Sequence, residues 1–161
     1  MTDLWPDIKT TANLKAPVNI LREQAALLGN KTQNIVKAKV RSVSSDFLKE
    51  KKLIKQGDDM VHMTIVEDPS GFHYNFFLVS PMLDNYEYAI FSISYSIELY
   101  PVRIRPDIDI LKEITQSDRS QWILADSEAE FLEVLGKIFR AEKTKKIINA
   151  LLVQSTSPVD A

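Results

Sequence analysis

The chain has 161 residues, 45% of them hydrophobic and 26% charged, with 20 Lys+Arg against 22 Asp+Glu, which describes one ordinary globular domain rather than a disordered or membrane-embedded chain. A formal charge of −2 argues against bulk attraction to nucleic acid or anionic lipid. The absence of cysteine excludes a disulfide scaffold, cysteine-ligated zinc, iron–sulfur clusters and thiol catalysis together.

The start of the chain, Met1 to Pro6, lacks a basic region followed by an apolar run, so no export signal is read there. Its longest uncharged stretch, Pro69 to Leu83, falls short of the ~20 apolar residues of a spanning helix. A cytoplasmic protein without membrane contact is expected. Residues 1–15 show no sustained period and read as a loosely held arm, residues 16–154 as a single α+β domain, and residues 155–161 as a polar tail.

Pro17 sits where a first helical turn tolerates it, and Ile20, Leu21, Gln24, Leu27 and Leu28 form one stripe, predicting a helix to Leu28 closed by Gly29 and Asn30. From Gln33 the period becomes two. Val36, Ala38 and Val40 interleave with Lys37, Lys39 and Arg41, a strand with one dry face. Residues 46–56 fit either a short helix or an ordered loop.

Met60 to Glu67 and Phe72 to Val79 flank Asp68, Pro69, Ser70 and Gly71, a turn containing both proline and glycine, and so predict a hairpin. With Asp68 opposite Gly71, one side carries Val61, Met63 and Ile65 against Leu78, Phe76 and Tyr74 and is wholly apolar. The other carries Met60, His62, Thr64 and Val66 against Val79, Phe77, Asn75 and His73. Next, Ala89, Phe91, Ile93, Tyr95, Ile97 and Leu99 alternate with Tyr88, Ile90, Ser92, Ser94, Ser96 and Glu98. Tyr86 to Tyr100 as one strand would extend ~50 Å, so a bend or bulge is expected within it. Pro101 and Pro106 bracket Val102 to Arg105, an expected edge strand.

Between 107 and 125 the pattern is mixed: Ile108, Leu111 and Ile114 suit a helix, Gln121 to Ala125 a strand. Ser127 to Glu130 form a capping box ahead of Phe131, Leu132, Leu135, Ile138 and Phe139, and a second helical run carries Ile147, Ile148, Leu151 and Leu152. The order predicts an α+β fold with an N-terminal helix, a twisted antiparallel meander of about five or six strands and two C-terminal helices.

Charge is unevenly spread. Residues 31–55 hold eight basic residues against two acidic ones, whereas residues 56–100 hold seven acidic residues and no Lys or Arg. Lysines on a strand read first as protection of a sheet edge or as partners of acidic neighbours. Their functional reading is a basic ridge of Lys37, Lys39, Arg41, Lys49, Lys51 and Lys52 that docks an acidic protein or, less favoured, a phosphate backbone.

Enzymatic chemistry finds little support. In the hairpin register His73 faces Val66, which puts it roughly 13 Å from His62, too far for one zinc ion. Ser94 lies near His73, but alternating serines read as the wet side of a strand. Asp107 and Asp109 suit a cation only if they converge. The four glycines are too dispersed for a phosphate loop. No metal, cofactor or catalytic set is therefore expected.

The leading expectation is a non-catalytic protein-interaction module, homodimeric or the small partner of a larger protein. Its candidate surface is the second sheet face, with Met60, His62, His73, Asn75, Phe77, Tyr88, Ile90, Ser92 and Ser94. The alternative is a small-molecule-binding domain or enzyme that uses a concave sheet face, with His73, Asn75, Ser92, Ser94 and Tyr88 as its polar groups.

Overall fold

The computed structural model describes residues 1–9, 14–43, 71–116 and 121–156. An N-terminal helix α1 (Pro17–Lys31) is followed by β1 (Lys37–Ser42), β2 (Phe72–Ser80), a short 3-10 turn (Pro81–Leu83), β3 (Tyr86–Tyr95) and β4 (Val102–Pro106). Helix α2 (Ile108–Thr115), strand β5 (Ile123–Ala125) and helices α3 (Glu128–Phe139) and α4 (Glu142–Thr156) complete the chain. Among the described residues the sheet has five antiparallel strands that neighbour one another in sequence order.

Pro17 opens α1 as expected, but the helix runs through Gly29 to Lys31. Gly29 is a contact residue rather than the terminator. Its carbonyl accepts the Asn34 N–H at 2.8 Å, and an added Cβ would lie 3.0 Å from Asn34 Oδ1. The chain reverses at Gln33 and Asn34, both left-handed with φ of 55° and 65°. The buried stripe is Ile20 and Leu21, with Ala25 and Leu28 packed beside them, while Leu27 faces outward at 48% exposure.

Strand β2 is flanked by β1 on one side and β3 on the other. The expected hairpin partner, residues 60–67, lies outside the described residues, and the register foreseen for it is taken by β1. Ala38 pairs with Leu78 and Val40 with Phe76, so β1 supplies the same apolar parity that the hairpin would have supplied. The inward set Tyr74, Phe76 and Leu78 holds.

The bulge expected in the long strand falls at Ile90. Phe76 pairs with Phe91 but Phe77 pairs with Ala89, leaving one surplus residue on β3 and inverting the parity of everything before it. Tyr88 and Tyr86 therefore share the side of Leu78 and Ser80, while Ala89 and Glu87 share the side of Phe77 and Val79. Ile90 itself is 1% exposed, and its carbonyl accepts the Asp107 N–H at 2.7 Å. Strand β3 ends at Tyr95. The next residues turn, with Leu99 N–H donating to the Ser96 carbonyl at 2.9 Å, so Ile97 is exposed rather than inward.

Strand β4 is interior, not an edge. Strand β5 pairs with Val102 to Ile104, and Pro106 lies beyond the end of β5, where its missing N–H interrupts no ladder. Both elements suited to residues 107–125 form. Asp107 caps α2 by accepting the Asp109 N–H at 2.9 Å, and Ile110 and Leu111 are its buried residues, with Ile108 exposed. The serine half of the expected capping box forms, Ser127 Oγ accepting the Glu130 N–H at 3.2 Å, while Glu130 reaches one residue past the cap to the Asp126 N–H at 2.6 Å. Helix α4 continues to Thr156 because Ser155, read as the start of the tail, is buried against Ser80 with their hydroxyls 2.7 Å apart.

One hydrophobic cluster joins the helices to a single side of the sheet. It takes Phe76, Leu78, Phe91, Ile93, Tyr95, Val102, Ile104 and Ala125 from the strands, with Ile20, Leu21, Ile110, Phe131, Leu135, Ile138 and Leu151 from the helices. Phe76 stacks on Phe91 with ring centres 4.9 Å apart, and Phe139 meets both. Burial pushes the Tyr95 phenol up to about 12, the nearby Tyr74 adding to the shift and a backbone hydrogen bond with Val18 opposing it.

Candidate functional site

The other side of the sheet contributes nothing to that cluster. Because cross-strand partners share a side, the register fixes its membership. One row is Arg41, Asn75, Ser92 and Arg105. The next is His73, Ser94, Arg103 and Leu124, and a third is Lys39, Phe77 and Ala89. Lys37, Val79 and Glu87 lie beyond. This second face thus holds five basic side chains and one carboxylate among the described strand residues.

Two arginine–aromatic clamps organise it. The Arg41 guanidinium lies 4.8 Å from the centre of the Phe77 ring and donates to Glu87 Oε2 at 2.7 Å, with Lys39 Nζ 3.7 Å from the same oxygen. The hydrogen bond from Arg41 holds the Glu87 carboxyl below its usual range, against the opposing effect of desolvation and with help from the charges of Arg41 and Lys39. On the far side Trp122 lies under both Arg103, at 4.8 Å, and Arg105, at 5.9 Å. Arg103 Nε is buried there with no hydrogen-bond partner among the described residues. A guanidinium stacked on an indole keeps its charge while its weak hydration makes the dry contact tolerable. Lys39, Arg41, Ala89, Arg105 and Leu124 are exposed, Asn75, Phe77, Ser92 and Ser94 half-buried, and His73 buried.

Of the residues foreseen for this surface, His73, Asn75, Phe77, Ser92 and Ser94 come together, and Lys37, Lys39 and Arg41 line the same face. His73 and Ser94 are direct cross-strand partners. Tyr88 and Ile90 do not belong, because the bulge turns Tyr88 to the helix side and buries Ile90. Met60, His62, Lys49, Lys51 and Lys52 lie outside the described residues. Sequence reasoning passed over Arg103, Arg105, Trp122 and Leu124. The signal was present: Arg103 and Arg105 alternate with Val102 and Ile104, so the parity of β4 already sends both arginines away from the core.

Both readings of the lysine-rich strand have a counterpart. In the described sheet β1 is an outer strand, and its cations meet Glu87 from the acidic middle of the chain. The surplus of positive charge comes equally from β1, whose three cations meet one carboxylate, and from the two arginines of β4.

On the helix side, Asp107 and Asp109 do converge, but on Lys143 of α4. Lys143 Nζ lies 3.1 Å from Asp107 Oδ1 and 2.7 Å from Asp109 Oδ2, and Tyr88 donates to Asp107 Oδ2 at 2.6 Å. Burial opposes the charged form of Asp107, yet hydrogen bonds from Tyr88 and Lys143 bring its carboxyl below the ordinary range. Hydrogen bonds to Asp109 and Tyr88 raise the Lys143 ammonium above its own. The ammonium occupies the place a divalent cation would need. Beside it runs an open cleft of about 500 Å³ lined by Asp109, Glu113, Glu142, Lys143, Lys146, Ile147 and Ala150. Its side chains are largely engaged with one another: Glu113 accepts the Glu142 N–H at 3.0 Å and so caps α4. The arrangement fastens α2 to α4 and presents no nucleophile with an adjacent base.

Compared with known proteins, the chain matches no family model, no curated protein and no solved structure. None of the helices among the described residues is long and apolar enough to cross a membrane.

Proposed function

We infer that this protein is a non-catalytic binding module of the cytoplasm whose second sheet face docks an acidic partner protein. The observation that carries this reading is the composition of that face: among the described strand residues five cations meet one carboxylate, Glu87, with guanidinium groups held over Phe77 and Trp122. Arginine presents a rigid fork to carboxylates, and aromatic rings beneath it supply apolar contact area, the combination that dominates protein–protein hot spots. The apolar exposure of Leu124 beside Arg103 and of Ala89 in the row of Lys39 favours a protein partner over a bare phosphate chain. Electrostatic complementarity of this kind sets the encounter rate and partner choice.

A fluorescein-labelled oligo-glutamate peptide tests the reading by anisotropy at low ionic strength. Binding is expected to weaken as salt rises and to drop by about tenfold or more when Arg103 and Arg105 are both changed to Glu. Absence of binding, or binding indifferent to the charge reversal, overturns it. Tighter binding of oligothymidylate than of the peptide replaces the protein partner with nucleic acid.

A further inference from the structure

The N-terminal arm is unexplained by the fold. Leu4, Trp5 and Ile8 are 88%, 78% and 78% exposed, and the one hydrogen bond described within the arm is local, from Trp5 N–H to Asp3 Oδ1 at 3.0 Å. Single exposed apolar side chains are ordinary on any surface, but three large ones within five residues of one another form a cluster of the kind that suits a contact. From Asp3 to Asp7 the arm carries two carboxylates around Trp5, with its nearest cation at Lys9, so this segment is acidic and aromatic, the complement of the face just described.

Spacing reinforces the match. Arg41 and Arg105 stand at the two ends of one cross-strand row, separated by Asn75 and Ser92. Three strand spacings put them ~14 Å apart, and an extended Asp3 and Asp7 stand ~13 Å apart with Trp5 between them on the same side. Laid across the strands, the arm brings one carboxylate to each arginine and the indole over the middle of the row. The arm departs from the helix layer, where Lys15 N–H donates to Glu128 Oε1 at 3.0 Å and the Lys15 carbonyl accepts from the Tyr100 hydroxyl at 3.1 Å. That is the opposite side of the sheet from the cationic row.

We propose that the acidic partner is the N-terminal arm of a second copy of this chain, the two copies exchanging arms so that Asp3, Trp5 and Asp7 of each lie across the Arg41–Arg105 row of the other. This rests on the reading of the second face as an acidic-protein dock and names its occupant. Reciprocal exchange closes a two-fold dimer and leaves neither arm nor face unmatched.

The decisive experiment uses two full-length variants in sedimentation velocity. The first carries Asp3→Arg and Asp7→Arg, the second Arg41→Glu and Arg105→Glu. The wild type is expected to pass from monomer to dimer as concentration rises, with the transition moved to higher concentration by salt. Each variant alone stays monomeric at concentrations where the wild type is dimeric, since like charges then meet at both contacts. Their equimolar mixture recovers the dimer, because every arm again faces opposite charge, and this recovery also establishes that both variants are folded. A wild type that remains monomeric, variants that dimerise alone, or a mixture that does not recover overturns the exchange. A monomeric wild type whose face still binds the oligo-glutamate probe removes only the identity of the occupant. Loss of both signals removes the face reading as well.

Discussion

Gly136 shows how a single position can be held by neighbours rather than by backbone need. It lies inside α3 with no left-handed torsion, and an added Cβ would meet the far end of Arg140, with Nη2 at 2.7 Å. Arg140 forms the C-cap of the same helix, and its guanidinium has room to swing because it is the mobile end of a long side chain. Glycine in a helix interior costs roughly 0.8–1.0 kcal/mol relative to alanine. Gly136→Ala is therefore expected to stabilise the protein by about 0.5–1 kcal/mol, read as a melting temperature raised by about 1–4 °C in thermal unfolding. Gly29 is different. There the approaching atom is Asn34 Oδ1 in the left-handed turn that brings α1 into β1, and a methyl group presses on a residue with much less freedom to move.

At the scale of elements, Asp107 joins four parts of the fold: it caps α2, accepts from Tyr88 of β3, pairs with Lys143 of α4 and follows directly on β4. Asp107→Ala removes a cap, takes the Tyr88 hydroxyl's acceptor away and leaves Lys143 with Asp109 alone, so a loss of about 1–2 kcal/mol is expected in urea unfolding at neutral pH. The folded carboxyl titrates below its ordinary value of 3.8. A depressed carboxyl contributes fully above the unfolded value and loses its contribution as pH falls through the folded one, so the gap between wild type and variant should hold down to about pH 4 and narrow below it. A gap that stays constant into acid would locate the effect in packing instead. Elements were legible where their signals were local, such as the serine cap at Ser127 and the proline start of α1. The pairing of β1 with β2 was not, because the Asp68 to Gly71 turn signals a neighbour in sequence while the partner is chosen by parity across 30 or more residues. The bulge was foreseen from length, yet its place was not: Tyr88, Ala89, Ile90 and Phe91 are all apolar enough to point inward, so alternation alone leaves the parity on the near side of Ile90 undetermined.

For the whole molecule, the core cluster lies on one side of the sheet and the cationic rows on the other, which explains how much of the candidate site the sequence disclosed. Side chains of the second face were legible as a set wherever the strand was regular, from Lys37 to Arg41 and from His73 to Phe77, and were lost at Tyr88 because the bulge lies between. This division can be measured by truncating one aromatic on each side. Phe76 is 2% exposed, stacked on Phe91 and tilted against Phe139, so Phe76→Ala leaves a cavity in the packed core and should cost about 3–5 kcal/mol. Against a typical total of about 5–15 kcal/mol, that is a large fraction of all the stability the chain has. Trp122 is 37% exposed and lies outside the core cluster, with two guanidinium groups over its ring. Two such stacks at a partly exposed site are worth about 1–2 kcal/mol at most, and some of that is regained when Arg103 and Arg105 rehydrate, so Trp122→Ala should lower stability by about 1 kcal/mol or less. The same Trp122→Ala variant should weaken oligo-glutamate binding, because its arginines lose the platform that fixes their direction. Chemical denaturation and the anisotropy assay on the same two proteins separate the roles. Equal losses of stability would mean that the second face is held as tightly as the first and is part of the core rather than a surface kept for a partner.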